Sequence, residues 1–215
     1  MSINEEYYVM VEDFSKSDNL IYMMGGYASN YSHILQKEVI TQPVRYDINT
    51  LFWVKGRMPE DIIENSHGLI IKDKLMTEFF EPISPDRMMV HLTYFVSPDD
   101  DYFEGYWLLS TPDKPTNWLD FERSDIEYIE NDDPKTGVDY VRKYYLNEAL
   151  LKDIPLEKRQ LFSWDAKDLG YTHQIIHKSW VDYLKKFDNR NVKFIPLLKF
   201  KSKMANQGPL PDFAI

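Results

Sequence analysis

Two similar stretches of this chain constrain its fold more than any other feature. Residues 68–83 begin with Gly-Leu-Ile-Ile and end in Phe-Glu-Pro-Ile, and residues 174–197 begin with Gln-Ile-Ile-His and end in Phe-Ile-Pro-Leu. Each has a strand-like apolar run, a residue suited to starting a helix, an amphipathic portion and an aromatic-x-Pro-aliphatic ending. This order predicts two similar strand-helix-strand units that face a common core.

The helices of the two units are predicted to start at Asp73 and Ser179, since both residue types are favoured N-caps. The first stretch has room for only a turn or two, whereas the second has room for a full helix. A common origin of the two stretches and chance similarity both remain open, because strand-cap-helix order is frequent in proteins.

Strand-like patterns predominate in the rest of the chain. Residues rich in β-branched and aromatic types predict strands at 7–11, 51–54, 90–96, 106–109, 140–146 and 161–164. The third and fourth of these are predicted to pair as a hairpin. Residues 59–64 have the proline and acidic residues of a first helical turn, and residues 147–151 are also predicted to be helical. Residues 124–129 fit a helix start or a strand equally well.

These elements predict an α+β fold, with a mixed or antiparallel sheet and a few short helices. A chain of 215 residues can form one sizeable core or two lobes. We expect a single domain over residues 1–198. The proline-rich stretch 111–116 is the best candidate for a lobe boundary, and a long loop is the alternative. Residues 199–215 are predicted to be a loosely ordered tail.

The charge of the chain indicates the kind of partner it would bind. Acidic residues outnumber basic ones by 35 to 25, and the formal net charge is −10. Such a chain repels nucleic acids and anionic membranes and attracts basic proteins. Tyr, Phe and Trp make up 15% of the chain, and Tyr and Trp often carry the binding energy of protein interfaces. Solubility alone would also explain the acidic balance.

Several classes of site are excluded or left without support. The chain contains no cysteine, which excludes disulfides, thiolate nucleophiles and cysteine-bound metals and fits the cytoplasm. The acidic start lacks the apolar core of a signal peptide, and no apolar run approaches membrane-spanning length. We therefore expect a cytoplasmic protein that does not bind membranes.

The histidines do not form a convincing catalytic or metal-binding motif. His173 and His177 have the spacing of a zinc-protease helix, but Gln174 replaces the glutamate of that motif and no third ligand is evident. Two partly exposed histidines are the simpler interpretation. The chain also lacks a G-x-S-x-G nucleophile motif and a phosphate-binding loop. We expect no catalytic residue, no metal, no cofactor and no enzymatic activity.

Two acidic turns are the candidate partner-binding residues. Neither has the ligand spacing of a calcium-binding EF-hand loop. They are either solvated loop tips or a negative docking surface with aromatic anchors at its edge. The residues concerned are Asp99, Asp100, Asp101, Tyr102, Asp132 and Asp133.

The order of several phrases resembles a family of bacterial immunity proteins, first described as a domain of unknown function and found beside polymorphic toxins. The resemblance covers roughly residues 50–198. It rests on the two similar stretches, on Trp107-Leu108-Leu109, on the phrase Trp-Leu-Asp-Phe-Glu-Arg-Ser at 118–124 and on Leu161-Phe162. It implies a cytoplasmic protein that binds a cognate toxin domain stoichiometrically and blocks its active site. The family pattern supplies no catalytic residue.

Two alternatives remain beside the immunity protein. One is a hydrolase or another enzyme whose site assembles from distant residues, which a deep pocket lined by His91 or His173 with nearby carboxylates would favour. The other is a non-enzymatic regulatory binding module. The sequence indicates neither the oligomeric state nor the identity of a toxin.

Overall fold

The chain divides into two compact units that interleave along the sequence. In this computed structural model, unit 1 comprises Met1–Asp13, Pro112–Lys186 and Lys193–Ile215, and unit 2 comprises Phe14–Thr111 and Phe187–Val192. One division falls between Thr111 and Pro112, inside the proline-rich stretch. The structure describes residues 2–13, 20–23, 44–55, 61–65, 68–77, 89–96, 102–110, 113–129, 138–164, 169, 172–187, 189, 192–206 and 210–215.

Strands and short helices alternate irregularly along the described residues. The strands are β1 Tyr7–Glu12, β2 Leu20–Met23, β3 Val44–Lys55, β4 Ile62–Asn65, β5 Gly68–Lys72, β6 Met89–Val96, β7 Tyr102–Ser110, β8 Asp113–Lys114, β9 Asp125–Ile129, β10 Val138–Lys143, β11 Leu161–Trp164, β12 Ile175–His177 and β13 Val192–Pro196. The helices are α1 Asp73–Leu75, α2 Glu148–Leu151, α3 Lys178–Leu184 and α4 Lys203–Asn206. This confirms the predicted α+β class.

Unit 2 contains a six-stranded sheet in the order β2-β3-β6-β7-β5-β4. The predicted hairpin of β6 and β7 is confirmed, with Val96 opposite Tyr102 at its end. The predicted helical turn at residues 59–64 is wrong over residues 62–64, because Ile62 and Ile63 belong to β4 and pair with Ile71 and Ile70 of β5. Residues 59 and 60 lie outside the described part of the chain. Pairing with a neighbouring strand outweighs the local helix-start signal of the proline and acidic residues.

A bulge interrupts the β6–β7 ladder. Thr93 lies opposite Tyr106 and Phe95 opposite Phe103, so two residues of β7, Glu104 and Gly105, face a single residue of β6. Gly105 has φ +80°, in the left-handed region that glycine adopts without steric cost. The glycine therefore permits the extra residue and the sharper local twist.

Unit 1 contains a five-stranded sheet in the order β13-β1-β12-β11-β8. β12 is antiparallel to both β1 and β11, while β8 is parallel to β11. One face of the sheet presents residues such as Val9 and Ile175 to an aromatic-rich core that includes Phe162 and Trp164. Helix α3 contacts β1 and β12, and it contributes the buried Trp180.

Both similar stretches run from strand directly into helix, but they belong to different sheets. β5 leads into α1 in unit 2, and β12 leads into α3 in unit 1. The second stretch closes in β13, whereas residues 80–83, which close the first stretch, lie outside the described part of the chain.

The predicted N-caps of the two helices are one or two residues too late. Lys72 and His177 hold the N-cap positions, with nearly equal extended backbone angles of φ −68°, ψ 151° and φ −76°, ψ 148°. The Asp73 side chain instead accepts a hydrogen bond from Trp107 Nε1 at 2.7 Å. At the second junction, His177 Nδ1 accepts the backbone N–H of Ser179 at 3.2 Å, so the histidine replaces the serine as the cap.

The described residues of the predicted loose tail are instead bound to unit 1. Phe200 is fully buried, and Leu210 and Phe213 pack against the same core. Phe194 of β13 and Ile215 exchange two backbone hydrogen bonds, of 2.9 and 3.0 Å. The Gly-Pro-Leu-Pro composition predicted a loose tail, but apolar side chains spaced along the segment anchor it to the core.

Candidate functional site

The predicted partner-binding residues fall at the ends of two strand pairs. Residues 97–101, which include Asp99, Asp100 and Asp101, connect the paired Val96 and Tyr102 of unit 2. Residues 130–137, which include Asp132 and Asp133, connect the paired Ile129 and Val138 of unit 1. These five aspartates lie outside the described residues, and Tyr102 opens β7. Partner binding by the two acidic turns stays a prediction.

A neighbouring segment exposes large apolar side chains. Phe121 is 47% exposed, Tyr128 55% and Ile129 40%, and among the residues whose side-chain burial the structure describes, the exposed large hydrophobic ones all fall within 121–129. The three residues lie close together in the sequence, and exposed large apolar side chains are candidates for an interaction site. We name residues 120–129, which end where the second acidic turn begins, the β9 segment.

The ladder geometry explains why Tyr128 and Ile129 are exposed. Among the described strands, β9 pairs with β10 alone, in an antiparallel ladder. Ile126 lies opposite the buried Val141 and packs against the core. Tyr128 follows Ile126 on the same face, and Ile129 points to the other face, yet both are exposed. The end of the ladder that leads to the acidic turn therefore presents apolar side chains on both of its faces.

The turn before β9 is held in one conformation by Tyr145. Asp120 donates its N–H to the Tyr145 carbonyl at 2.7 Å, and the Ser124 hydroxyl accepts the Tyr145 N–H at 3.0 Å. The Arg123 guanidinium lies over the Tyr145 ring, 4.6 Å from its centroid. These contacts fix the backbone on either side of Phe121, so the exposed ring is carried by an ordered turn.

The charge of the β9 segment is strongly negative. It contains Asp120, Glu122, Asp125 and Glu127 against a single cation, Arg123. Glu127 forms an ion pair with Arg142 of β10, and both side chains are exposed, so the pair contributes little stability and can exchange partners. The combination of exposed apolar anchors and carboxylates suits a basic protein surface.

His173, which was expected to be partly exposed, is buried. Its backbone N–H donates to the Tyr144 hydroxyl at 3.2 Å, and that hydroxyl lies 3.1 Å from His173 Nδ1, to which it can donate in turn. The Phe200 ring packs against the imidazole with a centroid separation of 4.8 Å. Burial lowers the pKa of His173 to about 4, so the ring is neutral at pH 7.

His177 has a structural role at the junction of β12 and α3. Its Nδ1 caps the helix, and its Nε2 lies 3.5 Å from the Glu6 carboxylate. Burial lowers the pKa of His177, and the hydrogen bond to Glu6 only partly opposes that effect. His173 and His177 thus contact different partners and do not form a joint metal site.

The described residues place no group of three or more histidine and acidic side chains where it could hold a metal ion. Over the same residues, no helix is long and apolar enough to cross a membrane.

Sequence reasoning missed Phe121, Tyr128 and Ile129 as candidate site residues. The available signal was the alternation of acidic and large apolar residues from Asp120 to Ile129, which also fits an ordinary amphipathic strand. Neither a protein-family model nor a curated protein matches this chain.

Proposed function

We propose that this chain is a non-enzymatic immunity protein, which binds the active domain of a basic cognate toxin stoichiometrically through the β9 segment and occludes its active site. The observation that carries the proposal is the concentration of exposed large apolar side chains in an acidic segment. The resemblance of the chain to toxin-neutralising immunity proteins supplies the class of partner.

The β9 segment has the physical properties that such an inhibitor needs. Its carboxylates, together with the −10 net charge of the chain, would accelerate encounter with a basic domain. Phe121, Tyr128 and Ile129 would slow dissociation, since buried aromatic and aliphatic anchors dominate the energy of interfaces. The ordered turn at Tyr145 limits the entropy lost on binding.

The buried histidine does not favour the enzymatic alternative. The packing of His173 against Tyr144 and Phe200 keeps the imidazole from solvent. Its pKa of about 4 lies well below the range near neutrality in which a general base works best.

The direct test is co-expression with the product of the neighbouring gene. We expect that product to arrest growth alone, and we expect this chain to restore growth and to co-purify with it in equimolar amounts. Replacing Phe121, Tyr128 and Ile129 together by serine should abolish protection without loss of folding, because all three side chains are exposed.

The matched control is replacement of the exposed Lys152, Glu157 and Lys185 by serine, which should leave protection intact. A neighbouring product that is harmless when expressed alone would refute the proposal. So would full protection by the Phe121, Tyr128 and Ile129 variant.

A further inference from the structure

In the part of the chain that the structure describes, β9 is an edge strand of a two-stranded sheet. β9 pairs with β10 on one side, and no strand of the described residues pairs with its other side. β10 differs, because Asp139 pairs with Tyr128 and also bridges Leu169 on the opposite side. An unpaired edge offers a row of backbone N–H and C=O groups to an incoming chain.

The side chains of β9 define what such a chain should look like. Asp125 and Glu127 share one face of the strand, and Ile126 and Tyr128 share the other. A strand laid alongside would match β9 with basic residues at alternate positions and apolar residues between them, since opposite charges and apolar pairs across strands are stabilising.

A second copy of this chain is a poor occupant of the edge. In an antiparallel β9–β9 pair centred on Glu127, this residue would face its own counterpart. Like charges directly opposite each other on neighbouring strands are destabilising. The charge pattern therefore favours a basic partner over self-association.

We propose that an extended basic segment of the partner adds to β9 as a third strand of the β9–β10 ladder. This inference rests on the proposed function for the identity of the partner. The geometry of binding rests on the β9 edge itself. Backbone hydrogen bonds would supply the affinity, and side chains at alternate positions would supply the specificity, as in other cases of strand addition. Tyr128 and Ile129 would then be covered by the added strand and the body behind it.

The test uses the full chain and a synthetic peptide, Lys-Val-Lys-Val-Lys-Val-Lys, with blocked ends. We expect saturable binding and slower hydrogen exchange of the amides in residues 125–129. A peptide of the same sequence with an N-methyl group on every residue keeps the charge but removes the backbone N–H groups from both of its edges. It should bind at least about tenfold more weakly, because strand addition depends on the hydrogen bonds that these groups donate.

Variants of the chain separate the ladder from general charge attraction. Asp125→Asn combined with Glu127→Gln should weaken peptide binding several-fold. The control is Asp153→Asn combined with Glu157→Gln, which removes two exposed carboxylates elsewhere in unit 1 and should have little effect. Three results would each overturn strand addition. They are equal binding of the two peptides, amide protection that leaves out residues 125–129, and a dimer that protects β9 in the peptide-free chain.

The outcomes also separate this inference from the proposed function. A neutralised toxin complex that buries the side chains of the β9 segment but leaves the amide exchange of residues 125–129 unchanged would overturn strand addition and leave the proposed function standing. Peptide addition at β9 in a chain whose neighbour is harmless would support the edge geometry and refute the toxin partner.

Discussion

His173 is the residue whose environment departs most from what its position in the sequence suggests. It precedes β12 in a polar phrase, Thr172-His173-Gln174, yet the imidazole is buried against Tyr144 and Phe200. The sequence contains no signal for this burial, because Phe200 and Tyr144 approach it only through the tertiary fold. The neutral imidazole, hydrogen-bonded through Nδ1 and packed among aromatic rings, therefore makes the stability of the fold depend on pH.

Acidification should destabilise the fold through His173. Its pKa is about 4 when folded against 6.5 unfolded, so between these values the unfolded chain binds more protons. The stabilisation is present above pH 6.5 and is lost as the pH falls to 4, a change of about 3 kcal/mol in the free energy of unfolding. Urea unfolding across this range measures it.

The matched variant is His173→Asn, in which the amide oxygen can replace Nδ1 as acceptor but does not titrate. The difference in unfolding free energy between it and the original chain should change with pH by that amount. His177→Asn should keep the contribution of His173. Parallel pH profiles for the original chain and His173→Asn would contradict this assignment.

At the scale of elements, the sequence predicted a strand or helix correctly where the residues of that element themselves have the pattern typical of it. β1, β11, the β6–β7 hairpin and α2 follow from β-branched, aromatic and capping residues in sequence. β4 was mispredicted because its pairing with β5 is not visible in residues 59–64. The N-cap of α3 was misplaced because His177, an uncommon cap, accepts the hydrogen bond of the Ser179 N–H.

The candidate site was only partly predictable for a related reason. The acidic character next to β9 follows from composition, but the exposure of Tyr128 and Ile129 does not. Ile126 and Tyr128 have the same alternation in sequence, and one packs against the core while the other is exposed. The two residues differ because the β9–β10 ladder extends beyond the core between them. Long-range packing determines where the core ends.

The bulge in β7 provides a prediction at this scale. Gly105→Ala should lower the free energy of unfolding by about 1–2 kcal/mol, because a left-handed backbone is strained with a Cβ atom. The nearest atom to that Cβ would be Asp73 Cβ at 3.9 Å, an ordinary contact, so the loss comes from the backbone. Urea unfolding, with amide exchange of β7 as a local reporter, measures it.

Gly105→Asn is the matched control for the bulge. Asparagine tolerates the left-handed region better than alanine, so its loss should be smaller despite its larger side chain. Equal stability of the alanine variant and the original chain would show that the bulge does not require glycine.

At the scale of the whole molecule, unit 1 depends on residues far apart in the chain. β1 lies between β13 and β12, and the final residues bind β13 through the Phe194–Ile215 hydrogen bonds. In the same unit, the Glu148 carboxylate of α2 accepts hydrogen bonds from Ser2 and Asn4, which lowers the pKa of Glu148. Both ends of the sequence are therefore structural parts of unit 1.

Removing residues 210–215 should destabilise unit 1 selectively. The deletion removes two backbone hydrogen bonds to Phe194 and the packing of Leu210 and Phe213, a loss of about 3 kcal/mol. Amide exchange should accelerate in β13 and β1 while β5 and β7 keep their rates. The exposed Asp212→Ala serves as control, and unchanged exchange in β13 would contradict the structural role of the segment.

The interleaved connectivity also sets an order for synthesis on the ribosome. β1 is translated before Phe14–Thr111, whereas its two sheet neighbours, β12 and β13, are translated after that stretch. β1 therefore has neither of its sheet neighbours while most of unit 2 is already available to fold. The β9 segment also emerges before β12 and β13 complete the five-stranded sheet of its unit.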